Sequence, residues 1–286
     1  DDSQIFFNIN VHTSSDREAA SMLDGMVEST RVLYPENEMK HWHATDQHGF
    51  TDAIFAGMHF INVQFAPRFA KIHDQKLWAF DAKTKQAMKG RTVKPGRVIN
   101  RKRILSHWDQ ILHLMASIKL GYCSASHIFR MMSAQSPKSD LFAALESFGQ
   151  LLKSSYILTY LKSTELRRNV QKQLNRIEHG QKLSEAVFFA RQGKLMVGAE
   201  SEIQKAMMSK TLLKNAIIIW NYLFLSDYCC QLSDDKQREE VIDSISNGSV
   251  IAWAHVNMHG VYDFDRLPGK SFKSTITQMK SLKLAA

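Results

Sequence analysis

The chain carries the run Thr45-Asp46-Gln47-His48-Gly49-Phe50-Thr51-Asp52 in its first third. Residues 39–45 predict a short strand that ends at Asp46, and Gly49 permits a sharp turn after it. Residues 61–67 alternate apolar and polar side chains up to a proline, which predicts a second strand. Aspartate is frequent at turns because its side chain caps the backbone, but active-site carboxylates also lie at strand ends. Asp46 is therefore a candidate functional carboxylate in an α/β core.

The pattern extends in both directions from this run. Residues 5–11 roughly alternate and predict a strand, and residues 14–28 show helical spacing, with Ser15 or Asp16 as the N-cap. Helical spacing with few breakers then dominates residues 104–232. We expect an α/β first third followed by a mostly helical remainder.

The composition is that of a folded globular protein. The 286 residues are 44% hydrophobic and 23% charged, with a net charge of +9 that attracts polyanions such as nucleic acid. Three cysteines, two of them adjacent, exclude a disulfide scaffold and a CxxC metal knuckle and favour a reducing compartment. Residues 212–225 form the most apolar stretch, which is too short to cross a membrane and predicts a buried core helix.

Positive charge is concentrated between Ala82 and Trp108, where no acidic residue occurs. The basic residues there are Lys83, Lys85, Lys89, Arg91, Lys94, Arg97, Arg101, Lys102 and Arg103. Clustered Lys and Arg bind phosphates in a salt-dependent manner, although a solvated loop would have the same composition. The turn-prone, lysine-rich residues 71–103 are interpreted as an insertion or linker.

Common catalytic motifs are absent from the sequence. It contains no GxxxxGK, GxGxxG, GxSxG or HExxH pattern, so nucleotide cofactors, serine-hydrolase chemistry and zinc proteolysis have no support. His255 and His259 would share a face if they lay on a helix, and His41 and His43 would share a face of a strand. Neither pair has a Cys or carboxylate partner at ligand spacing, so a metal-dependent hydrolase built on histidines is the least favoured alternative.

Several ordered blocks resemble a known family. The run at residues 45–52, followed by Phe-Ala-Pro-Arg at residues 65–68, resembles the second catalytic-aspartate block of class II replicative transposases of the Tn-three type. The blocks that follow in the family's order are Trp108-Asp109-Gln110-Ile111-Leu112, Ala116-Ser117-Ile118-Lys119-Leu120-Gly121, Leu174-Asn175-Arg176-Ile177-Glu178, Trp220-Asn221 and Trp253-Ala254-His255-Val256-Asn257. The resemblance covers about residues 17–262, most of the chain.

The resemblance implies a ribonuclease H-like core with a large helical insertion and a helical C-terminal part. In such a core the DDE carboxylates bind two Mg²⁺ ions, cleave the transposon ends and join the 3′ hydroxyls to target DNA. Asp46 matches the second Asp and Glu178 the Glu, so both are expected to be catalytic residues and metal ligands. Asp52 fits the same block and is interpreted as a turn residue or a neighbour of the ligands, with a structural role favoured.

The family's first catalytic Asp is expected upstream of the region equivalent to residues 1–10, where Asp2 matches a non-catalytic position. The chain is thus expected to be a fragment or a decayed copy that does not cut DNA alone, because each missing carboxylate weakens a two-metal site. The alternative is a non-catalytic DNA-binding or interaction remnant.

The implied partners are transposon ends and target DNA, a homo-oligomer when the protein is full length, and no membrane. The implied location is the nucleoid in the bacterial cytoplasm. The expected parts are a partial core at 1–70, a basic linker and helical insertion at 71–165, and a Glu-bearing helix with a helical C-terminal part at 166–286. The residues expected near the DNA backbone are Arg68, Arg97, Arg101, Lys102 and Arg103.

Overall fold

A computed structural model of the chain describes residues 5–7, 9, 18–33, 41–46, 49–91, 93–134, 139–188 and 198–261. Within these residues the protein is α/β, with two small parallel sheets and many helices. The elements are α1 (Glu18–Leu33), β1 (His41–Thr45), α2 (Asp52–Phe60), β2 (Val63–Pro67), a 3₁₀ turn (Ile72–Asp74), β3 (Lys76–Ala79), α3 (Ala82–Ala87), β4 (Lys94–Val98), α4 (Arg101–Ser106), α5 (Trp108–Lys119), α6 (Ala125–Ala134), α7 (Asp140–Lys162), α8 (Thr164–Val187), α9 (Glu200–Gln231) and α10 (Asp235–Asn247).

One compact unit, residues His12–Leu174, contains both sheets. Strands β1 and β2 pair in parallel, in a register that places Thr45 opposite Pro67. Helix α2 connects them and begins after Thr51, whose hydroxyl accepts a hydrogen bond from a first-turn amide. Asn62 has φ 64°, a left-handed conformation that turns the chain from α2 into β2. The strand predicted at residues 39–45 is confirmed for its described residues, His41–Thr45, and the one predicted at 61–67 is confirmed at Val63–Pro67 but not at Ile61 and Asn62, which form the turn after α2.

An aromatic cluster fills the core between the first sheet and α7. The rings of Phe55 and Phe65 lie 5.0 Å apart between centroids, and those of Phe69 and Tyr156 lie 5.7 Å apart. The Tyr156 hydroxyl donates a hydrogen bond of 3.0 Å to the carbonyl of Pro67, the last residue of β2. Burial raises the pKa of this phenol, which therefore stays a donor. The contact ties α7 to the carboxyl end of the sheet.

Helices α2 and α7 approach each other closely at Gly149. A Cβ atom at this position would lie 1.6 Å from the backbone carbonyl oxygen of Asp52, so no larger residue fits without moving a helix. One turn further along α7, the Lys153 ammonium lies 3.3 Å from the Asp52 carboxylate and 5.2 Å from the Phe50 ring centroid. Asp52 thus has a structural role at this helix contact.

The basic segment interpreted as a linker, residues 71–103, contains regular structure. Strands β3 and β4 pair in parallel and α3 connects them. The segment is anchored by a few apolar side chains spaced among the lysines: Leu77, Ala79, Val93 and Ile99 are all buried. The turn-prone composition hides this βαβ unit because its strands are short and its helix spans little more than one turn.

Helix α6 is capped by a residue from α1. The Asp24 carboxylate accepts hydrogen bonds from the amides of Ala125 and Ser126 at 2.6 and 3.0 Å and from the Ser124 hydroxyl at 2.8 Å. A carboxylate at a helix N-terminus satisfies free amides and interacts favourably with the helix dipole. Asp24 therefore fixes α6 against α1 across about a hundred residues of sequence.

The other compact unit comprises residues Asp1–Val11 and Asn175–Ala286, so the division falls within α8. Its core joins the end of α8 to α9 and to the segment that follows α10. The buried apolar residues are Leu183, Ile217, Ile218, Val250 and Ile251.

Phe6 docks on this unit through its backbone rather than through strand pairing. The Asn215 amide accepts from the Phe6 N–H at 3.0 Å and donates to the Phe6 carbonyl at 2.7 Å. Residues 5–7 and 9, the described part of the strand predicted at 5–11, form no strand because an amide side chain takes the place of a neighbouring strand. The prediction is wrong for these residues.

The Lys214 ammonium lies against the same docked segment. It donates a 2.9 Å hydrogen bond to the Ser184 hydroxyl and lies 3.5 Å from the Phe6 ring centroid. Burial lowers the pKa of this lysine to about 8. The ammonium is stabilised by a hydroxyl and a ring face, which are weaker partners than a carboxylate.

The apolar stretch 212–225 lies in the middle of α9. Ile217 and Ile218 are buried, but Leu212 is 74% exposed and Phe224 is 54% exposed. The prediction of a buried core helix is therefore correct for one side of the stretch only. Among the described helices, none combines the length and apolarity that a membrane span requires.

Candidate functional site

Asp46 follows directly on Thr45, the last residue of β1, as the sequence predicted. Its side chain is exposed and its Oδ1 accepts a hydrogen bond of 3.2 Å from the Gly49 amide. Gly49 is buried, and a Cβ there would lie 2.1 Å from the Thr45 hydroxyl oxygen. The absence of a side chain at Gly49 therefore lets its backbone lie close to Thr45, where its amide orients the Asp46 carboxylate.

Arg68 lies at the neighbouring strand end. Its amide donates to the Thr45 carbonyl at 2.8 Å, which continues the ladder between β1 and β2. Its guanidinium Nη1 donates to the Gln171 side chain on α8 at 3.0 Å, and its Nε is buried without a hydrogen-bond partner. The half-buried Arg68 thus joins the sheet edge to the first half of α8.

Glu178 lies on the second half of α8 with its side chain exposed. It belongs to the unit formed with residues 175–286, whereas Asp46 belongs to the unit at residues 12–174. In the described part of the chain, no three or more His, Cys, Asp and Glu side chains are grouped so as to hold a metal. The two matched acids therefore belong to different compact units.

The chemistry of the two acids fits Mg²⁺, which prefers hard carboxylate oxygens. Both side chains are exposed, so a metal ion can reach them without a rearrangement of the core. The residue types present are therefore suitable for the implied ion.

The basic residues expected near DNA differ in their contacts. Arg97, Arg101 and Lys102 are exposed. The Nε of Arg103 lies 3.8 Å from the Asp140 carboxylate, and since the two side chains are 40% and 74% exposed, the pair contributes little to stability. Arg97, Arg101 and Lys102 come from β4 and the first turn of α4, so the structure brings them to one region.

A further residue in this region escaped the sequence analysis. Phe80 follows β3 directly and is 47% exposed, and the Arg101 guanidinium carbon lies 5.2 Å from its ring centroid. No local pattern singles out this phenylalanine, because an apolar residue at a strand end normally belongs to the core.

Two of the family-like blocks are joined by structural contacts. The buried Asn221 amide donates to the carbonyls of Val250 and Ala252 at 2.8 and 2.7 Å. The Trp220 ring stacks on the His255 ring with centroids 5.0 Å apart. The Trp-Asn block and the Trp-Ala-His-Val-Asn block therefore meet and hold residues 250–256 against α9.

The structure describes the side chains of three of the four histidines considered as ligands, and that of His41 lies outside the described residues. His255 and His259 lie outside any helix, so the shared helix face that would make them ligands does not exist. On β1, the His43 ring stacks on Phe65 with centroids 6.3 Å apart, and its Nε2 lies 3.0 Å from the Met22 sulfur. Burial lowers the pKa of His43 to about 4, so the imidazole is neutral in the folded protein.

This partly buried imidazole makes the free energy of unfolding dependent on pH. His43 binds a proton near pH 6.5 in the unfolded chain but only near pH 4 in the folded protein. The free energy of unfolding is therefore highest above pH 6.5 and decreases as the pH falls towards 4. The expected loss over this window is of the order of 3 kcal/mol. Urea unfolding at several pH values between 7 and 4 should show this loss. His43→Phe should flatten the dependence of the free energy of unfolding on pH, whereas His113→Gln, at an exposed position, should not. An unchanged slope in His43→Phe would contradict the assignment.

Comparison with known proteins identifies the class. A family model described as the Tn3 transposase DDE domain matches residues 1–262. The transposase for transposon Tn1546 of Enterococcus faecium is 33% identical over 256 residues, covering 89% of this chain and 25% of that protein. The transposase for transposon Tn21 of Escherichia coli is 33% identical over 252 residues, covering 83% and 24%. The transposase for transposon gamma-delta of Escherichia coli K12 is 26% identical over 249 residues, covering 87% and 24%.

These matches define the chain as a transposase region. It belongs to the Tn3 transposase DDE domain family, as the ordered sequence blocks indicated. The chain spans about a quarter of the length of the curated relatives that it matches.

Proposed function

We propose that this chain is the catalytic region of a DNA transposase that cleaves transposon ends and transfers them to target DNA in replicative transposition. The observation that carries the proposal is the family match over residues 1–262, in which the matched Asp46 lies at the carboxyl end of a parallel strand. Ligands of open α/β sheets bind at this edge. The proposal includes a ribonuclease H-like core with a large helical insertion and a division into parts at 1–70, 71–165 and 166–286.

Asp46 and Glu178 are the proposed catalytic residues, and both would hold divalent metal. Two bound Mg²⁺ ions would supply the charge that stabilises the attacking and leaving oxygens of a phosphodiester. Within this chain, the hydrogen bond from the Gly49 amide orients the Asp46 carboxylate, and the exposed position of Glu178 leaves it accessible on α8. With two matched carboxylates rather than three, the 286-residue chain alone is expected to bind DNA without cutting it.

The proposed partners are transposon-end and target DNA, with a homo-oligomer for the longer protein. A protein with these substrates would act at the nucleoid in the bacterial cytoplasm. DNA binding is assigned to Arg68, Arg97, Arg101, Lys102 and Arg103. Arg68 and Arg103 also contact Gln171 and Asp140 within the protein, so their replacement would remove these contacts as well as a charge.

The DNA-binding assignment is tested by salt titration. Arg97→Ala, Arg101→Ala and Lys102→Ala are each expected to weaken duplex binding and to reduce the slope of log K against log salt by about one unit, because each removes one phosphate contact. Fluorescence anisotropy with a labelled duplex at several salt concentrations measures this slope.

Lys236→Ala is the matched control, since Lys236 is an exposed cation on α10 among acidic neighbours. It is expected to leave the slope unchanged. The assignment fails if all four variants behave alike.

The second candidate is a non-catalytic DNA-binding or interaction protein derived from a transposase. The exposed cations Arg97, Arg101 and Lys102 favour it, because they can bind a phosphate backbone without metal. Under this alternative, Asp46→Asn and Glu178→Gln would change neither metal binding nor DNA binding.

A further inference from the structure

The carboxyl edge of the β3–β4 sheet presents an aromatic ring beside a cation. Parallel strands end at the same edge, so Phe80, just after β3, lies close to Arg101, at the start of α4. The guanidinium carbon of Arg101 lies 5.2 Å from the Phe80 ring centroid, within the range of a cation–π contact. Both side chains are exposed, so the pair is a surface feature.

Folding does not account for the position of this ring. Leu77 and Ala79 of β3 are buried at 5% and 0% exposure and anchor the strand, whereas Phe80 is 47% exposed and belongs to neither described core. An exposed phenylalanine is therefore free to contact a ligand through its ring.

The surroundings of the ring are positively charged. Lys83 on α3 and Arg97 on β4 are exposed cations of the βαβ unit, and Lys102 is an exposed cation on α4, which follows it. The nearest acid in sequence, Asp81, caps α3 by accepting from the Thr84 amide at 2.6 Å. The region around β3 and β4 thus combines cations, which are suited to a phosphate backbone, with an exposed, uncharged aromatic ring.

We propose that Phe80 and Arg101 form a stacking site for an unpaired DNA base, with Lys83 and Lys102 binding the flanking phosphates. A base in a duplex has both faces covered by its neighbours, whereas an unpaired base exposes a face that stacks on an aromatic ring or a guanidinium. This inference rests on the proposed DNA-binding function and adds to it a preference for gapped or frayed DNA.

The test compares two DNA molecules that differ only in base pairing. One is a fully paired duplex and the other carries a three-nucleotide single-stranded gap with 2-aminopurine at its centre. Stacking on an aromatic side chain is worth about 1–3 kcal/mol per base, which corresponds to about 5- to 150-fold in affinity. Phe80→Leu in the full 286-residue chain is expected to weaken gap binding by at least about fivefold and to leave duplex binding within about twofold.

Two further variants control for loss of folding and loss of apolar surface. Phe80→Tyr keeps the ring and should retain gap binding and quenching of 2-aminopurine fluorescence. Leu105→Ala removes an exposed apolar side chain of α4, 62% exposed, and should change neither. Thermal unfolding shows whether each variant is folded.

The proposal is overturned if Phe80→Leu weakens gap and duplex binding equally, or if it weakens neither. Failure of the proposed DNA-binding function has a different signature, because the unmodified chain would then bind neither DNA molecule at any salt concentration.

Discussion

Gly149→Ala is expected to lower the free energy of unfolding by about 3 kcal/mol or more, which is a large effect for a single methyl group. The added Cβ would meet the carbonyl oxygen of Asp52 at 1.6 Å and its carbonyl carbon at 2.5 Å, and both are backbone atoms that cannot move independently of α2. The higher helix propensity of alanine, about 1 kcal/mol, would not offset this clash. Urea unfolding followed by circular dichroism measures the change.

Gly198→Ala serves as its control. A Cβ at Gly198 would meet only the flexible carboxylate of Glu202 at 3.2 Å, so its effect should stay within about 0.5 kcal/mol. If Gly149→Ala is as stable as Gly198→Ala, the close contact between α2 and α7 is wrong.

Asn221→Ala is expected to destabilise the unit formed by residues Asp1–Val11 and Asn175–Ala286 by about 2–4 kcal/mol. The change leaves two carbonyls, those of Val250 and Ala252, without the amide that now binds both. An unsatisfied buried acceptor such as the Val250 carbonyl costs about 1–3 kcal/mol, and the partly buried Ala252 carbonyl costs less. Amide hydrogen exchange should show faster exchange concentrated in residues 250–256 and in the facing part of α9.

The control for this change is Gln204→Ala, which removes an exposed amide from the same helix. It should leave exchange in residues 250–256 unchanged. A result in which Asn221→Ala exchanges like the unmodified chain but loses DNA binding would assign Asn221 to the DNA interface instead of to the fold.

Periodicity predicted the elements whose apolar residues are regularly spaced. Helix α7 is an example, because its apolar residues repeat at three and four positions and several of them, such as Leu145 and Ile157, are buried in the core that it forms with α2. The strand before Asp46 was predicted from another local signal, the turn-forming run that directly follows it. Such elements depend on local sequence alone and can be predicted without a structure.

Elements anchored by few apolar residues could not be predicted in this way. The βαβ unit at residues 76–98 depends on side chains such as Leu77 and Val93 that stand among lysines, so its composition resembled a loop. Phe6 was placed in a strand because alternation does not reveal that Asn215, about two hundred residues later, pairs with its backbone. Contacts across such distances in sequence leave no local signal.

The same distinction between local signals and long-range contacts applies to the candidate site. Asp46 was predicted because a strand end, a glycine and a family-like block coincide within eight residues. The contact of Arg68 with Gln171 was not, because the partners are about a hundred residues apart. Phe80 could not be predicted as part of this surface, because only the fold shows that its ring is exposed beside Arg101.

The most direct test of the account is divalent-metal binding by the 286-residue chain, measured with Mn²⁺ by electron paramagnetic resonance and by displacement with Mg²⁺. Asp46→Asn and Glu178→Gln are each expected to weaken Mn²⁺ binding at least about tenfold, because each removes an anionic oxygen ligand. Glu239→Gln, an exposed helical acid on α10, should leave it unchanged. Mn²⁺ binding by both variants equal to that of the unmodified chain would contradict the assignment of these acids as metal ligands and support the non-catalytic alternative.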